Sequence, residues 1–159
     1  MIRLAVEPLT RQAFAPFGAV LQTDGAAHYP INQGNTTRYH ALAEAETDPA
    51  GRAILSIFRG VPRPTPISIT MLERHPLGSQ AFMPLSDEEW LIVVADRPKT
   101  ESLRCFRATG GQGVQYATNV WHHPLLVLAR AQNFLVVDRD GPGENLEEVF
   151  LDPQAEIVL

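Results

Sequence analysis

Glu73, His75 and Gln80 stand close together in the segment ERHPLGSQAFMP (residues 73–84), and a histidine pair, His122 and His123, follows in WHHP (residues 121–124). Three of the chain's five histidines lie in these two short segments. A carboxylate, imidazoles and an amide are groups that shuttle protons near neutral pH or ligate a cation. Glu73 and His75, two residues apart, leave the same face of a strand. Gln80 follows after a turn at Gly78. His122 and His123, being adjacent, face opposite sides of a strand, so at most one of them joins the Glu73/His75 face. Periodicity leaves open which.

The elements that must hold these residues read as short strands. Pro66 to His75 alternates, with Ile67, Ile69, Met71, Glu73 and His75 on one face and Ser68, Thr70, Leu72 and Arg74 on the other. Gln80, Phe82 and Pro84 share a face of the next strand. Glu89 to Ala95 is apolar without interruption from Trp90 on, as expected of a strand buried on both sides. Leu103 to Ala108, Val114 to Tyr116, His122 to Ala129 and Phe134 to Asp138 continue the series, spaced as in sandwiches and barrels. Ile2 to Val6 reads as a first strand, Thr10 as the cap of a helical turn through Ala13 and Phe14, and Phe17 to Leu21 as extended chain. Ala26 to Thr37 reads as a polar loop, and Arg38 to Asp48 has weak helical character. Gly110, Gly111 and Gly113 mark a tight turn. The fold class is mainly β, a double-stranded β-barrel (jelly roll) with minor helical segments, in one domain spanning residues 1–159.

Other polar residues are candidates of a second kind. Arg59 closes the apolar strand that begins at Ala53 and could grip a carboxylate in bidentate fashion. Arg38, Tyr39 and His40, just after the polar loop that holds Asn32 and Gln33, are further candidates. Asp138 and Arg139 read as a structural ion pair, Trp121 as a packing residue, and Cys105 as a packed thiol within an alternating strand.

The chain has 159 residues, a formal charge of −5, 45% hydrophobic and 19% charged residues, values of a folded globular protein. The acidic balance argues against a nucleic-acid or anionic-membrane surface. One cysteine excludes an intrachain disulfide and a multi-cysteine metal site. With no apolar run long enough to span a bilayer and no signal-peptide block, the expectation is a cytosolic protein.

The order of these segments resembles the two motifs of cupins, the first supplying two histidines and a glutamate, the second a further histidine. Carried over in order, Glu73, His75, Gln80 and His122 take those positions, with Glu73 in place of a histidine and Gln80 in place of the glutamate. ERHPLGSQAFMPL, GQGVQY (residues 111–116), NVWHHPL, INQGNTTRYH (residues 31–40) and FLVVDR (residues 134–139) together resemble the ureidoglycolate lyase family of allantoin degradation. That resemblance implies a cupin-like barrel, a homodimer, and cleavage of ureidoglycolate to glyoxylate and urea. His75, Glu73 and His122 would be catalytic, with the choice of base between His75 and Glu73 open. Arg59, Gln80, Arg38, Tyr39 and Asn32 would bind substrate. Glu73, His75, Gln80 and His122 would hold a divalent metal such as nickel, if one is used. An amidohydrolase releasing ammonia and carbon dioxide is the alternative on the same substrate. A sugar-nucleotide isomerase is disfavoured by the lone lysine, Lys99. A non-catalytic barrel binding a small carboxylate is the alternative of a different class.

Overall fold

Prolines and glycines cut the chain into short extended pieces, and the computed structural model, which describes residues 1–159, pairs nearly all of them. The order is β1 (Ile2–Arg3), β2 (Val6–Pro8), α1 (Arg11–Phe14), β3 (Gly18–Leu21), β4 (His28–Ile31), β5 (Thr36–Tyr39), β6 (Arg52–Gly60) and β7 (Ile67–Arg74). It continues with β8 (Gln80–Pro84), β9 (Trp90–Ala95), β10 (Leu103–Ala108), β11 (Gly113–Tyr116), β12 (Trp121–His122), β13 (Leu126–Val127), β14 (Gln132–Asp140) and β15 (Glu147–Ile157). The single short helix is capped as expected, with Thr10 Oγ1 accepting from the Ala13 N–H at 3.1 Å.

Two sheets form a curled, mainly antiparallel half-barrel. The larger runs β1-β15-β7-β12-β9-β10-β2, with β13 also on β9; the smaller runs β3-β11-β8-β14-β6. β1 and β2 are opposite edges of the larger sheet, yet only Leu4 and Ala5 separate them. Three Cα–Cα steps reach at most ~11 Å, so the larger sheet must curl until its edges approach. This splits the expected first strand in two, because one strand cannot serve both edges.

The curl produces two cores rather than a single hollow. Trp90, Ile92 and Val94 on one face of β9 join Phe82, Phe106, Tyr116, Phe134 and Val136 between the sheets. Leu91, Val93 and Ala95 on its other face join Ile67, Ile69, Leu72, Cys105 and Trp121. The apolar run of β9 is therefore buried on both sides, as its sequence indicates. Truncating a fully buried aromatic such as Phe134 to alanine would cost about 3–5 kcal/mol. Cys105 is wholly buried, and burial pushes its thiol up to about 12, so it packs rather than reacts.

Three expectations are corrected. The polar stretch at 26–37 is a hairpin rather than a loop: β4 pairs with β5, His28 opposite Tyr39 and Ile31 opposite Thr36. Arg38 to Asp48 contains no helix; Arg38 and Tyr39 end β5, and Ala41 at φ 47° is incompatible with a right-handed turn. The strand expected from His122 to Ala129 breaks between β12 and β13 at Pro124, which has no N–H to give a ladder. The Gly110–Gly111 turn is as expected, both residues having positive φ (60° and 79°) between β10 and β11.

Candidate functional site

Register brings the two sequence segments together. His122 lies opposite Glu73 of β7 on one side and opposite Val94 of β9 on the other, so the three side chains share a face. Val94 belongs to the core between the sheets, which sets Glu73 and His122 on that inner face. Ile67 and Ile69 do not share their surroundings, contrary to the simple period-two reading of this strand. They pack with Leu72 in the other core, and the partner strand β15 slips register between Phe150 and Ala155, opposite this change.

The turn between β7 and β8 fixes the other two residues. Leu77 N–H donates to Asn145 Oδ1 (2.8 Å), Ser79 N–H to Glu46 O (3.0 Å), and Glu46 N–H to Ser79 Oγ (2.8 Å). A Cβ at Gly78 would lie 2.6 Å from Arg139 Cβ and 2.9 Å from Glu46 O, so only glycine permits this close approach. His75 and Gln80 thus flank a clamped turn. The ligating atoms of Glu73, His75 and His122 all lie within 4.8 Å of one another.

Hydrogen-bond accounting shows what this cluster lacks. Val120 O lies 2.9 Å from His122 Nδ1 and can only accept, so Nδ1 carries the hydrogen and a neutral ring has its lone pair at Nε2. His122 Nε2 is buried without a hydrogen-bond partner, 3.5 Å from Glu73 Oε1. His75 Nδ1 likewise donates to Asn145 O at 2.9 Å, and its Nε2 faces Gln80 Oε1 at 3.1 Å. The Gln80 amide nitrogen is turned outward to Asp138 Oδ2 at 3.1 Å. Acceptor therefore faces acceptor twice, which costs free energy in a buried site unless something positive lies between. Two protons or one divalent cation meets that need, so these residues fit the metal that the resemblance implies.

Electrostatics agree. Burial works against ionisation of Glu73, but the neighbouring His122 and His75 rings outweigh it once they carry a proton, His122 then donating from Nε2, and hold the carboxyl below its ordinary value. The His122 ring is fixed by Tyr116, stacked on it at 4.1 Å and 9°. His122, not His123, is the histidine of the cluster. His123 is also buried rather than outward, with Nδ1 donating to Pro124 O at 2.8 Å, and burial pushes it down to about 4. Trp121 packs as expected, with the Arg74 guanidinium 4.5 Å above its ring.

A cavity of about 590 Å³ opens onto the cluster, lined by Glu73, Gln80, Phe58, Phe82, Arg59 and Arg63 among others. Neither arginine has a carboxylate partner, whereas seven others do. Arg59 Nε donates only to Asn133 Oδ1, at 3.0 Å. Arg59 was legible as the end of an apolar strand. Arg63 was not, because PRPTP reads as a connection, and the two prolines flanking it are the only local signal. The structure does not bring Asn32, Gln33, Arg38 or Tyr39 to this cavity; all four are exposed on the β4–β5 hairpin. Asp138 and Arg139 are not paired either. Side chains of adjacent strand residues diverge, so Asp138 meets Gln80 while Arg139, buried, takes Asp48 at 2.8 Å.

Comparison with known proteins gives a single answer. The chain is 51% identical to the ureidoglycolate lyase of Pseudomonas syringae pv. syringae (strain B728a), over 100% of this chain and 96% of that one. It is 55% identical to ureidoglycolate lyase 1 of Rhizobium meliloti (strain 1021), over 94% and 89% of the two chains. A solved structure of Bacillus subtilis oxalate decarboxylase aligns at a TM-score of 0.41 and 14% identity, over 72% of this chain and 31% of that one, too slight a likeness to argue from. The family model described as ureidoglycolate lyase matches residues 1–158, and the chain belongs to the ureidoglycolate lyase family.

Proposed function

We propose that the protein cleaves ureidoglycolate to glyoxylate and urea at the Glu73–His75–Gln80–His122 cluster. The observation that carries this is a cluster of facing acceptors, two of which, Glu73 and Gln80, line a cavity that also holds two arginines without carboxylate partners, in a chain of this family. Ureidoglycolate has a hydroxyl, a ureido nitrogen and a carboxylate on one carbon. Cleavage requires a base for the hydroxyl proton and an acid for the departing nitrogen.

Glu73 is the base, since it lines the cavity and its carboxyl is held ionised. It takes the hydroxyl proton, and the electron pair left on oxygen forms the carbonyl of glyoxylate. The carbon–nitrogen bond breaks, and the ureido nitrogen leaves as urea with a proton from His75 Nε2. Glu73 then returns its proton to His75 across the cluster. Gln80 and His122 orient the reacting oxygen, and Arg59 with Arg63 grips the carboxylate. Glu73, His75, Gln80 and His122 would also hold a divalent cation, whose chemistry there is polarisation of the hydroxyl oxygen. Protonation of His75 Nε2 and ligation through it exclude one another.

The reading extends to a single catalytic domain working in the cytosol as a homodimer. Supporting the dimer, β6 is a free sheet edge bearing exposed Leu55 and Ile57; sedimentation of one species at the monomer mass would overturn it. No helix is long and apolar enough to cross a membrane. Incubation with racemic ureidoglycolate, following urea, ammonia and glyoxylate together, tests the reaction. Equimolar urea and glyoxylate are expected; ammonia as the nitrogen product would overturn the lyase reading. Chelator treatment followed by divalent metal separates the two occupancies of the cluster. Loss and recovery of activity marks cation dependence, and full activity of metal-free protein marks proton transfer alone.

A further inference from the structure

We infer that Asp138 is a positioning residue of this site, acting through Gln80. An amide can present either its oxygen or its NH₂, and the two orientations are nearly equal in shape. Gln80 is 6% exposed and has two neighbours, His75 Nε2 on one side and Asp138 Oδ2 on the other. A carboxylate can only accept, so it draws the NH₂ toward itself and leaves Oε1 facing the cluster. Without Asp138 nothing prevents the reverse orientation, in which the NH₂ would satisfy His75 Nε2 and fill the cluster with a donor. Asp138 thereby keeps the cluster acceptor-only, the property on which proton or cation occupancy depends.

The same contact explains why position 80 is an amide where the first cupin motif has glutamate. An acid there would put two carboxylates within hydrogen-bonding distance, at a cost that the amide avoids. Asp138 comes from β14 and Gln80 from β8, neighbours in the smaller sheet. The ladder they share holds the donor and acceptor at 3.1 Å independently of the larger sheet that supplies Glu73, His75 and His122.

This inference rests on the reading of the cluster as the site, and its test has an arm that does not. With glutamine ¹⁵N-labelled, the Gln80 side-chain NH₂, assigned by its loss in Gln80→Leu, is expected to be protected from hydrogen exchange. Protection should fall at least ~10-fold in Asp138→Leu, in line with loss of a charge-assisted bond; unchanged protection overturns the inference, whatever the enzyme does. In the kinetic arm, isosteric Asp138→Asn should lower kcat for urea release ~10–100-fold, the usual cost of losing a partner that orients a reacting group. KM should change little. Gln80→Glu alone should do at least as much damage. The double variant Gln80→Glu/Asp138→Asn, which reverses donor and acceptor across the pair, should recover to within about 5-fold of the parent. Parental kcat in Asp138→Asn, or a double variant no better than either single one, overturns the positioning role. A parent that releases no urea overturns the proposed function, and the exchange arm then decides Asp138 by itself.

Discussion

Two cavities of similar size open on this barrel, and only one has unmet chemistry. The larger, about 700 Å³, is lined mainly by polar residues, among them Asp24, Asp87, Thr109 and Gln112. Gln112 there is fully employed: its Oε1 accepts from the Thr109 N–H at 3.0 Å, and Nε2 donates to Leu9 O at 3.1 Å and Gln22 Oε1 at 2.6 Å. Gln80 in the smaller cavity faces His75 with an oxygen that receives no hydrogen from a neutral ring. Volume and polarity are thus poor guides to a site. What distinguishes the smaller cavity is a set of acceptors that the surrounding structure turns toward one another.

The contrast can be broken most directly at Glu73. Glu73→Gln keeps the shape and removes the base, and kcat for urea release should fall ~10²–10⁴-fold; a fall under 10-fold would remove Glu73 from the proton-transfer role. Second in size is a pH effect at buried His123, the chain neighbour of His122. An unfolded chain protonates His123 below its ordinary value of 6.5, whereas the folded chain resists down to about 4. The His123 contribution to folding stability should therefore decline as pH falls through that window, by on the order of 3 kcal/mol in all, and the depressed carboxyls of Glu73 and Asp48 carry the decline to lower pH. His123→Phe should flatten this slope in denaturant titrations at several pH values. An identical slope in the variant would reassign the effect.

Third, Arg63→Ala and Arg59→Ala should each raise KM roughly 10–100-fold, the worth of a charge-assisted hydrogen bond, with kcat within a few-fold. If neither variant moves KM, the carboxylate is held elsewhere. The smallest expected effect sharpens the contrast from the other side. Gln112→Leu removes the donor to the carbonyl of buried Leu9 beside the larger cavity and should cost about 1 kcal/mol of stability. It should leave kcat and KM unchanged, and loss of activity in a folded variant would show that the larger cavity also matters.

Much of this was legible in the sequence, for identifiable reasons. β9 announced itself because a run of apolar residues leaves few alternatives to two-sided burial. Glu73, His75, Gln80 and the His122–His123 pair were legible as candidates through their types and order. The β4–β5 hairpin was misread because turn-forming residues at 26–37 resemble a loop, and its exposed strands lack the apolar alternation that core packing imposes. His122 and His123 could not be separated, since both flank apolar residues and only the pairing with Glu73 and Val94 decides. Asp138 and Arg63 were missed for the same reason. Each matters through a neighbour distant in sequence, Gln80 for one and the cavity mouth for the other.

The parallel stack of Tyr116 on His122 has a spectroscopic consequence. The phenol's ring current shields the imidazole's carbon-bound protons, displacing their resonances upfield from those of His28 and His40, whose tyrosine neighbours are tilted and farther away, at 5.5 and 5.9 Å. His122 also carries the orphan nitrogen, so the same resonances respond when a proton, a cation or a substrate oxygen arrives there. The packing that immobilises this ring thereby labels it, and occupancy of the site becomes readable in unmodified protein from a single pair of lines.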